Sequence, residues 1–210
     1  MKNTNHFYQT LFNSVEEVIE EMPEYDRQLC YQYFEPVTIP KSTIIEKAGN
    51  IPGHQYFIVS GYMRNFYLDS TGQEITTDIN NGPRFFTSYP HFMNRTVSNE
   101  NIECITECEL LKVNRADVDI LYQKGISIKD YTMMILQKFL DEEKKRRKEM
   151  STLSAKKRYV NFMKTCPNII QNVPLKYIAS YLGIRPESLS RIRRNYLTNV
   201  KRIENKNHDF

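Results

Sequence analysis

The chain has 210 residues, of which 40% are hydrophobic and 26% charged, a balance that suits one or two domains with substantial cores. No apolar run approaches the roughly 20 residues needed to span a bilayer, and Met1–Thr10 lacks an apolar signal core, so a cytoplasmic protein without a membrane partner is expected. The formal net charge of +4 is modest, but cations gather at Lys144–Lys148 and from Arg185 to Arg202, which suits a polyanion partner at the C-terminal end.

Four scattered cysteines, Cys30, Cys104, Cys108 and Cys166, predict no disulfide framework. Cys104 and Cys108 have no His or further Cys close by, and His6, His54, His91 and His208 are isolated. No metal, haem, iron–sulfur or other cofactor is therefore expected. The sequence also offers no nucleophile–base set and no phosphate-cradling loop, so a non-enzyme is expected.

Ser14-Val-Glu-Glu17 reads as a capping box, with Val15, Val18, Ile19 and Met22 as an apolar stripe. Pro23 is expected to stop that helix, and Tyr25–Phe34 to form another. From Phe34 the texture changes to short β-branched and aromatic segments: Glu35–Ile39, Thr43–Lys47, Gln55–Ser60, Tyr62–Leu68, Glu74–Ile79, Ile102–Ile105 and Glu109–Asn114. Turn residues separate them, which predicts a compact antiparallel barrel or roll. Arg115–Leu121 reads as a short helix.

Ile126–Ser154 reads as one long helix, with Ile128, Tyr131, Ile135 and Phe139 stepping by three and four down one side. Its charged run Lys144–Lys148 reads as a solvated face. Ser151–Ala155 is the expected hinge, and Ala155–Thr165 the next helix. In Val173–Asn195 two helices are joined by a tight turn. Pro174 suits a first helical position, and Ile178, Leu182, Leu189 and Ile192 form an apolar seam. Ala179 leaves room for a second helix, Gly183 permits the turn's positive φ, and Ile184 plugs the gap. Together these make a helix-turn-helix pattern.

PKSTIIEKAGNIPGHQYFIVSGYMRNFYLDSTGQEITTDINNGP (Pro40–Pro83) resembles the β-roll of the cyclic-AMP receptor protein/fumarate-nitrate regulator (CRP/FNR) family. The matching features are the P-x-x-x-x-I lead strand, the aromatic-I-V-x-G turn, the S-T-G-x-E hairpin and the N-x-G-P exit. The helix-turn-helix stands where that family keeps its own. The resemblance implies an α+β chain: an N-terminal antiparallel, jelly-roll-like β-roll, a long dimerisation helix and a C-terminal helix-turn-helix domain. Its expected divisions are residues 1–125, 126–153 and 154–210. Tyr196–Phe210 is polar and short, so the family's wing is expected to be reduced, absent or replaced by a short helix.

The function so implied is a homodimeric, sequence-specific transcription regulator. Its partners would be double-stranded DNA with a near-palindromic operator, a second copy of itself and RNA polymerase. The alternative is an effector-sensing or protein-interaction module without specific DNA binding. The dimer helix would use Ile128, Tyr131, Ile135 and Phe139. Glu187 and Arg191 match the family's base-reading Glu and Arg, with Ser188 beside them; an Arg can grip guanine O6/N7 and a Glu can accept from cytosine N4. Pro186 departs from the family pattern, standing where many relatives carry a second base-contacting Arg. Lys176, Tyr177, Arg185, Arg193 and Arg194 are candidates for phosphate and positioning contacts, with Lys201 and Arg202 beyond them.

Cyclic-AMP-binding relatives hold the nucleotide with a Gly-Glu pair and an Arg-Ser pair. Here Phe85-Phe86-Thr87-Ser88 and Ser98-Asn99 fall at those places, with acidic Glu100 and Glu103 nearby. Cyclic-AMP dependence is therefore not expected, and any effector is unknown. Phe85, Phe86, Thr87, Ser98 and Asn99 are the candidate effector-pocket residues, although Phe85, Phe86, Tyr89 and Phe92 read better as filling a pocket than as lining one.

Overall fold

The computed structural model describes residues 4–206. Two helices open the chain, α1 (Asn5–Glu16) and α2 (Glu24–Tyr33). Helix α1 buries Phe7, Tyr8, Leu11, Phe12 and Val15, a stripe that recurs at helical spacing. Ser14 and Glu17 therefore sit at the end of α1 rather than its start, and the expected capping box does not form. The aromatic stripe upstream, with a larger apolar area, nucleates the helix earlier. Pro23 precedes α2 as its N-cap residue, where a missing N–H costs nothing.

Eight strands follow: β1 (Glu35–Ile39), β2 (Thr43–Glu46), β3 (His54–Ser60), β4 (Tyr62–Leu68), β5 (Glu74–Asn81), β6 (Arg84–Phe86), β7 (Asn101–Cys104) and β8 (Cys108–Asn114). They form two four-stranded antiparallel sheets, ordered β1-β8-β3-β6 and β2-β7-β4-β5. Neither β6 nor the short helix α3 (Tyr89–Asn94) stood out in the sequence, because three residues and one and a half turns carry too little periodicity. Helix α4 (Arg115–Lys124) opens with Asn114 accepting from the Asp117 amide, a side-chain cap for an otherwise unpaired donor.

Strand alternation divides the core. Tyr56, Ile58, Met63, Phe86, Ile102, Cys104, Cys108 and Leu110 form the cluster between the sheets. The opposite face of the first sheet gives Phe57, Leu111 and Val113 to a second cluster with Phe7, Leu11, Phe12, Leu29, Val118, Leu121 and Tyr131. Both faces of β3 and β8 are thus covered, which explains the consecutive apolar residues Tyr56, Phe57, Ile58 and Val59 on β3 and Leu110 and Leu111 on β8.

The long helix α5 (Ile128–Thr152) begins on a cap borrowed from α2. The fully buried Asp26 carboxylate accepts from Ile126 N (2.8 Å), Ser127 N (2.8 Å) and Ser127 Oγ (2.6 Å). A carboxylate there satisfies orphan donors and meets the positive end of the helix dipole.

The contact pattern divides the chain into two compact units, Met1–Lys144 and Lys145–Phe210, parting within α5. The second unit holds the end of α5, then α6 (Ala155–Thr165), α7 (Pro167–Asn172), α8 (Leu175–Tyr181) and α9 (Pro186–Lys206). Its buried residues are Tyr159, Phe162, Ile169, Val173, Ile178, Ala179, Leu182, Ile184 and Leu189. Ser154 Oγ caps α6 by accepting from Lys157 N (3.4 Å). Rather than stopping near Asn195, α9 continues as a helix to Lys206, so no strand follows Asn195 among the described residues. His208 lies outside those residues, as do the side chains of Lys201 and Arg202.

Candidate nucleic-acid interface

The turn between α8 and α9 is held by backbone hydrogen bonds: Leu182 N to Ile178 O (3.0 Å), Gly183 N to Ser180 O (3.0 Å) and Ile184 N to Ala179 O (2.9 Å). Gly183 adopts φ +61°, a backbone conformation that favours glycine; a Cβ there would stand 2.6 Å from Met150 Cε, the far end of a flexible side chain that can move aside. Ala179 is fully buried, and Ile184 is buried in the angle between the helices. Pro174 occupies the N-cap position of α8, one residue ahead of the expected first turn.

On α9, Leu189 is fully buried and Ile192 half-buried, whereas Arg185, Glu187, Arg191, Arg193 and Arg194 are exposed and Ser188 is half-buried. At about 100° per residue, Glu187, Arg191 and Arg194 share one stripe. Arg193 falls about 240° from Glu187, beside the inward face, and its charge opposes the burial that raises the pKa of Tyr159 on α6. The helix therefore keeps Arg193 apart from the other cations. Glu187 and Arg191 have no ion-pair partner among the described residues. Near the start of α8, Lys176 is exposed with its Nζ 4.8 Å from the centre of the half-buried Tyr177 ring.

The four residues of the expected pairing face of α5 divide between the chain's own core and solvent. Tyr131 is only 7% exposed and packs edge-on against Phe85 (6.2 Å between ring centres), while Ile128 and Ile135 cover the same core. Three of the four residues thus serve the chain's own roll, because the most regular apolar stripe on the helix finds the nearest apolar surface first. Phe139 is partly open at 37%, and Met133 (69%), Met134 (49%) and Leu140 (59%) are among the apolar side chains of α5 left exposed. Within the charged run, Arg146 is half-buried with its guanidinium 4.3 Å from the Tyr181 ring centre, which departs from the expected solvated face.

The candidate effector residues are not gathered around one cavity. Phe85 packs against Phe34, Phe57 and Tyr131 on the helix side of the first sheet. Its neighbour Phe86 points into the roll. Thr87 Oγ1 donates to His54 O (3.0 Å). Ser98 is buried and its Oγ accepts from Glu100 N (3.1 Å), whereas Asn99 is exposed. The Glu100 carboxylate accepts from Thr77 Oγ1 (2.6 Å) and Asn65 Nδ2 (3.3 Å). Glu103 is bound by Arg64, whose Nε donates at 2.7 Å. Arg64, only 1% exposed, also bonds Glu74 (2.6 Å) and lies over the Phe66 ring. This buried cation is not legible in the sequence, since the period-2 pattern of β4 shows which face it occupies but not what covers that face.

Among the described residues no three His, Cys, Asp or Glu side chains gather as a metal site, and no helix is long and apolar enough to cross a membrane.

Residues 36–124 match the family model of the cyclic nucleotide-binding domain; the two-sheet roll is a domain of that class. The whole chain has the α+β fold of CRP/FNR-family transcription regulators. It is similar to the c-di-GMP-responsive global regulator CLP of Xanthomonas campestris at 15% identity, over 83% of this chain and 91% of that one, with TM-score 0.65. FixK2 of Bradyrhizobium japonicum matches at 15% identity over 79% and 85% of the two chains, TM-score 0.67. A protein described as a CRP/FNR-family transcriptional regulator from Eubacterium rectale matches at 18% identity over 91% and 88%, TM-score 0.66. No curated protein matches the sequence. At these identities the likeness establishes the fold.

Proposed function

We propose that the chain is a homodimeric, sequence-specific DNA-binding transcription regulator that does not depend on cyclic AMP. The observation that carries the proposal is the α8–turn–α9 unit. Its buried seam and glycine turn leave Glu187, Arg191 and Arg194 in one exposed stripe on α9, free of ion pairs among the described residues. The N-terminal part of such a helix enters the major groove. Arg191 would read a guanine, Glu187 a cytosine, and Ser188 either of their neighbours. Arg185, Arg194, Lys176 and Tyr177 would hold phosphates, with Arg193 the weakest candidate because of where α9 turns it.

Two reading helices need a pairing device. Met133 and Leu140 lie seven residues apart on α5 and remain exposed in the single chain. They and Met134 form the face we assign to the second copy, with Phe139 at its edge. Independence from cyclic AMP is supported by Glu100: its carboxylate sits in a hydrogen-bonded nest beside Ser98, where an anionic phosphate would meet negative charge. RNA polymerase remains a proposed partner on the strength of fold alone, and a cytoplasmic location follows from the same reading.

Gel-shift titration across salt concentrations tests this. The expected result is a steep loss of affinity with salt together with a preference for particular sequences. A sensing or interaction module without specific DNA binding would bind all duplexes alike or none.

A further inference from the structure

The carbonyls that leave the helix-turn-helix turn are held by two arginines outside it. Ile178 O, Ala179 O and Ser180 O accept from turn amides. Tyr181 O, Leu182 O and Gly183 O accept instead from guanidinium groups. Arg158, on α6, donates from Nε to Leu182 O (3.0 Å) and from Nη2 to Gly183 O (3.2 Å). Its Nη1 donates to Leu153 O (2.7 Å), just past the end of α5. Arg146, on α5, donates to Tyr181 O (3.5 Å). Met150 lies against Gly183, so Arg146 and Met150, four residues apart on α5, meet the turn from one face of that helix.

A planar guanidinium suits this work. Its donors form a rigid fork, it carries charge at any working pH, and it complements the negative ends of helices. With one side chain Arg158 satisfies carbonyls at the C-terminal ends of both α5 and α8. A lysine ammonium, a point donor, would not span three carbonyls in that plane.

We infer that Arg158 is a positioning residue for DNA reading: its three-way fork ties the last turn of α5 to the helix-turn-helix turn and sets the angle at which α9 presents Glu187 and Arg191. The inference rests on the reading of α9 as the DNA-reading helix. Arg158 itself points three of its five N–H donors at backbone carbonyls.

The test uses the full-length chain with Arg158→Lys and Arg158→Gln, against a duplex selected from random DNA by the wild type and against an unrelated duplex. Both variants should lose about tenfold or more of the affinity for the selected duplex, the scale of a lost charge-assisted hydrogen bond. For Arg158→Lys, affinity for the unrelated duplex and the salt slope should match the wild type. Backbone amides of residues 182–185 should exchange hydrogen faster in both variants. Full sequence preference retained by Arg158→Lys would overturn the proposal, because charge alone would then suffice. So would equal weakening on both duplexes in Arg158→Gln with a salt slope smaller by about one, the mark of a phosphate contact. Where Arg158→Gln fails to fold, Arg158→Lys carries the test. If the wild type selects no sequence, the DNA-reading proposal fails, and amide exchange still decides whether the fork holds the turn: unchanged exchange in Arg158→Lys refutes it.

Discussion

At the scale of single residues, the side chains that act outward and those that hold the fold separate cleanly. Arg191 is exposed and carries no folding burden, so Arg191→Ala should leave stability and oligomeric state intact while erasing preference at one guanine position, costing about 1–3 kcal/mol of discrimination. Binding-site selection with the variant measures this directly. Arg64 is the opposite case. It is buried between Glu103 and Glu74, and Arg64→Ala would strand the Glu103 charge, costing about 3–5 kcal/mol in a denaturant titration. A variant that replaces Arg64 and Glu103 together by apolar residues should recover much of that loss. Cys30 and Tyr131 make stability depend on pH. Burial, reinforced by Asp26, pushes the Cys30 thiol from 9.0 up to about 12, and burial pushes Tyr131 from 10.0 up to about 12. In both, the folded pKa lies above the unfolded one. Their contribution is therefore complete below pH 9 and is lost as pH rises toward about 12, by up to ~1.4 kcal/mol per group for each pH unit. Urea melts across that range should show the decline, and Cys30→Ala should make it shallower.

At the scale of elements, legibility followed how many constraints a segment carries by itself. The α8–turn–α9 pair was readable because Ala179, Gly183, Ile184 and Leu189 each answer a local demand of packing or backbone conformation, and all of them sit as those demands require. The strands were readable for the same reason, their alternation and turn residues being local. Helix α5 was readable as a helix but not in its allegiance. Ile128, Tyr131 and Ile135 have ideal spacing for a partner helix, and the spacing is blind to the roll that in fact receives them. The cap on α5 was equally hidden, since Asp26 lies a hundred residues before Ile126. Asp26→Ala should cost about 3 kcal/mol by leaving buried amides unpaired, read as a lower urea midpoint with an unchanged m-value. At the candidate site, Glu187, Arg191 and Arg194 could be placed on one stripe by helical period alone. The holding arginines, Arg146 and Arg158, could not, because their partners are backbone carbonyls distant in sequence.

At the scale of the molecule, the proposed function joins a cyclic nucleotide-binding-type roll, a long helix and a DNA-reading unit into a device that would work as a pair. The proposed pair would depend on apolar side chains that the single chain leaves open. Met133→Glu with Leu140→Glu should convert a dimer to a monomer in sedimentation experiments without lowering the melting temperature of the roll, since neither side chain contributes to its core. Replacing Tyr131, by contrast, should lower stability, because it belongs to that core. Such a monomer would keep one reading helix and lose the advantage of two half-sites spaced by a helical turn. The most direct test of the whole account is selection of bound sequences from a random DNA library by the intact chain. The account predicts an enriched near-palindrome with half-site centres about 10 base pairs apart; recovery of sequences with no common pattern would contradict it.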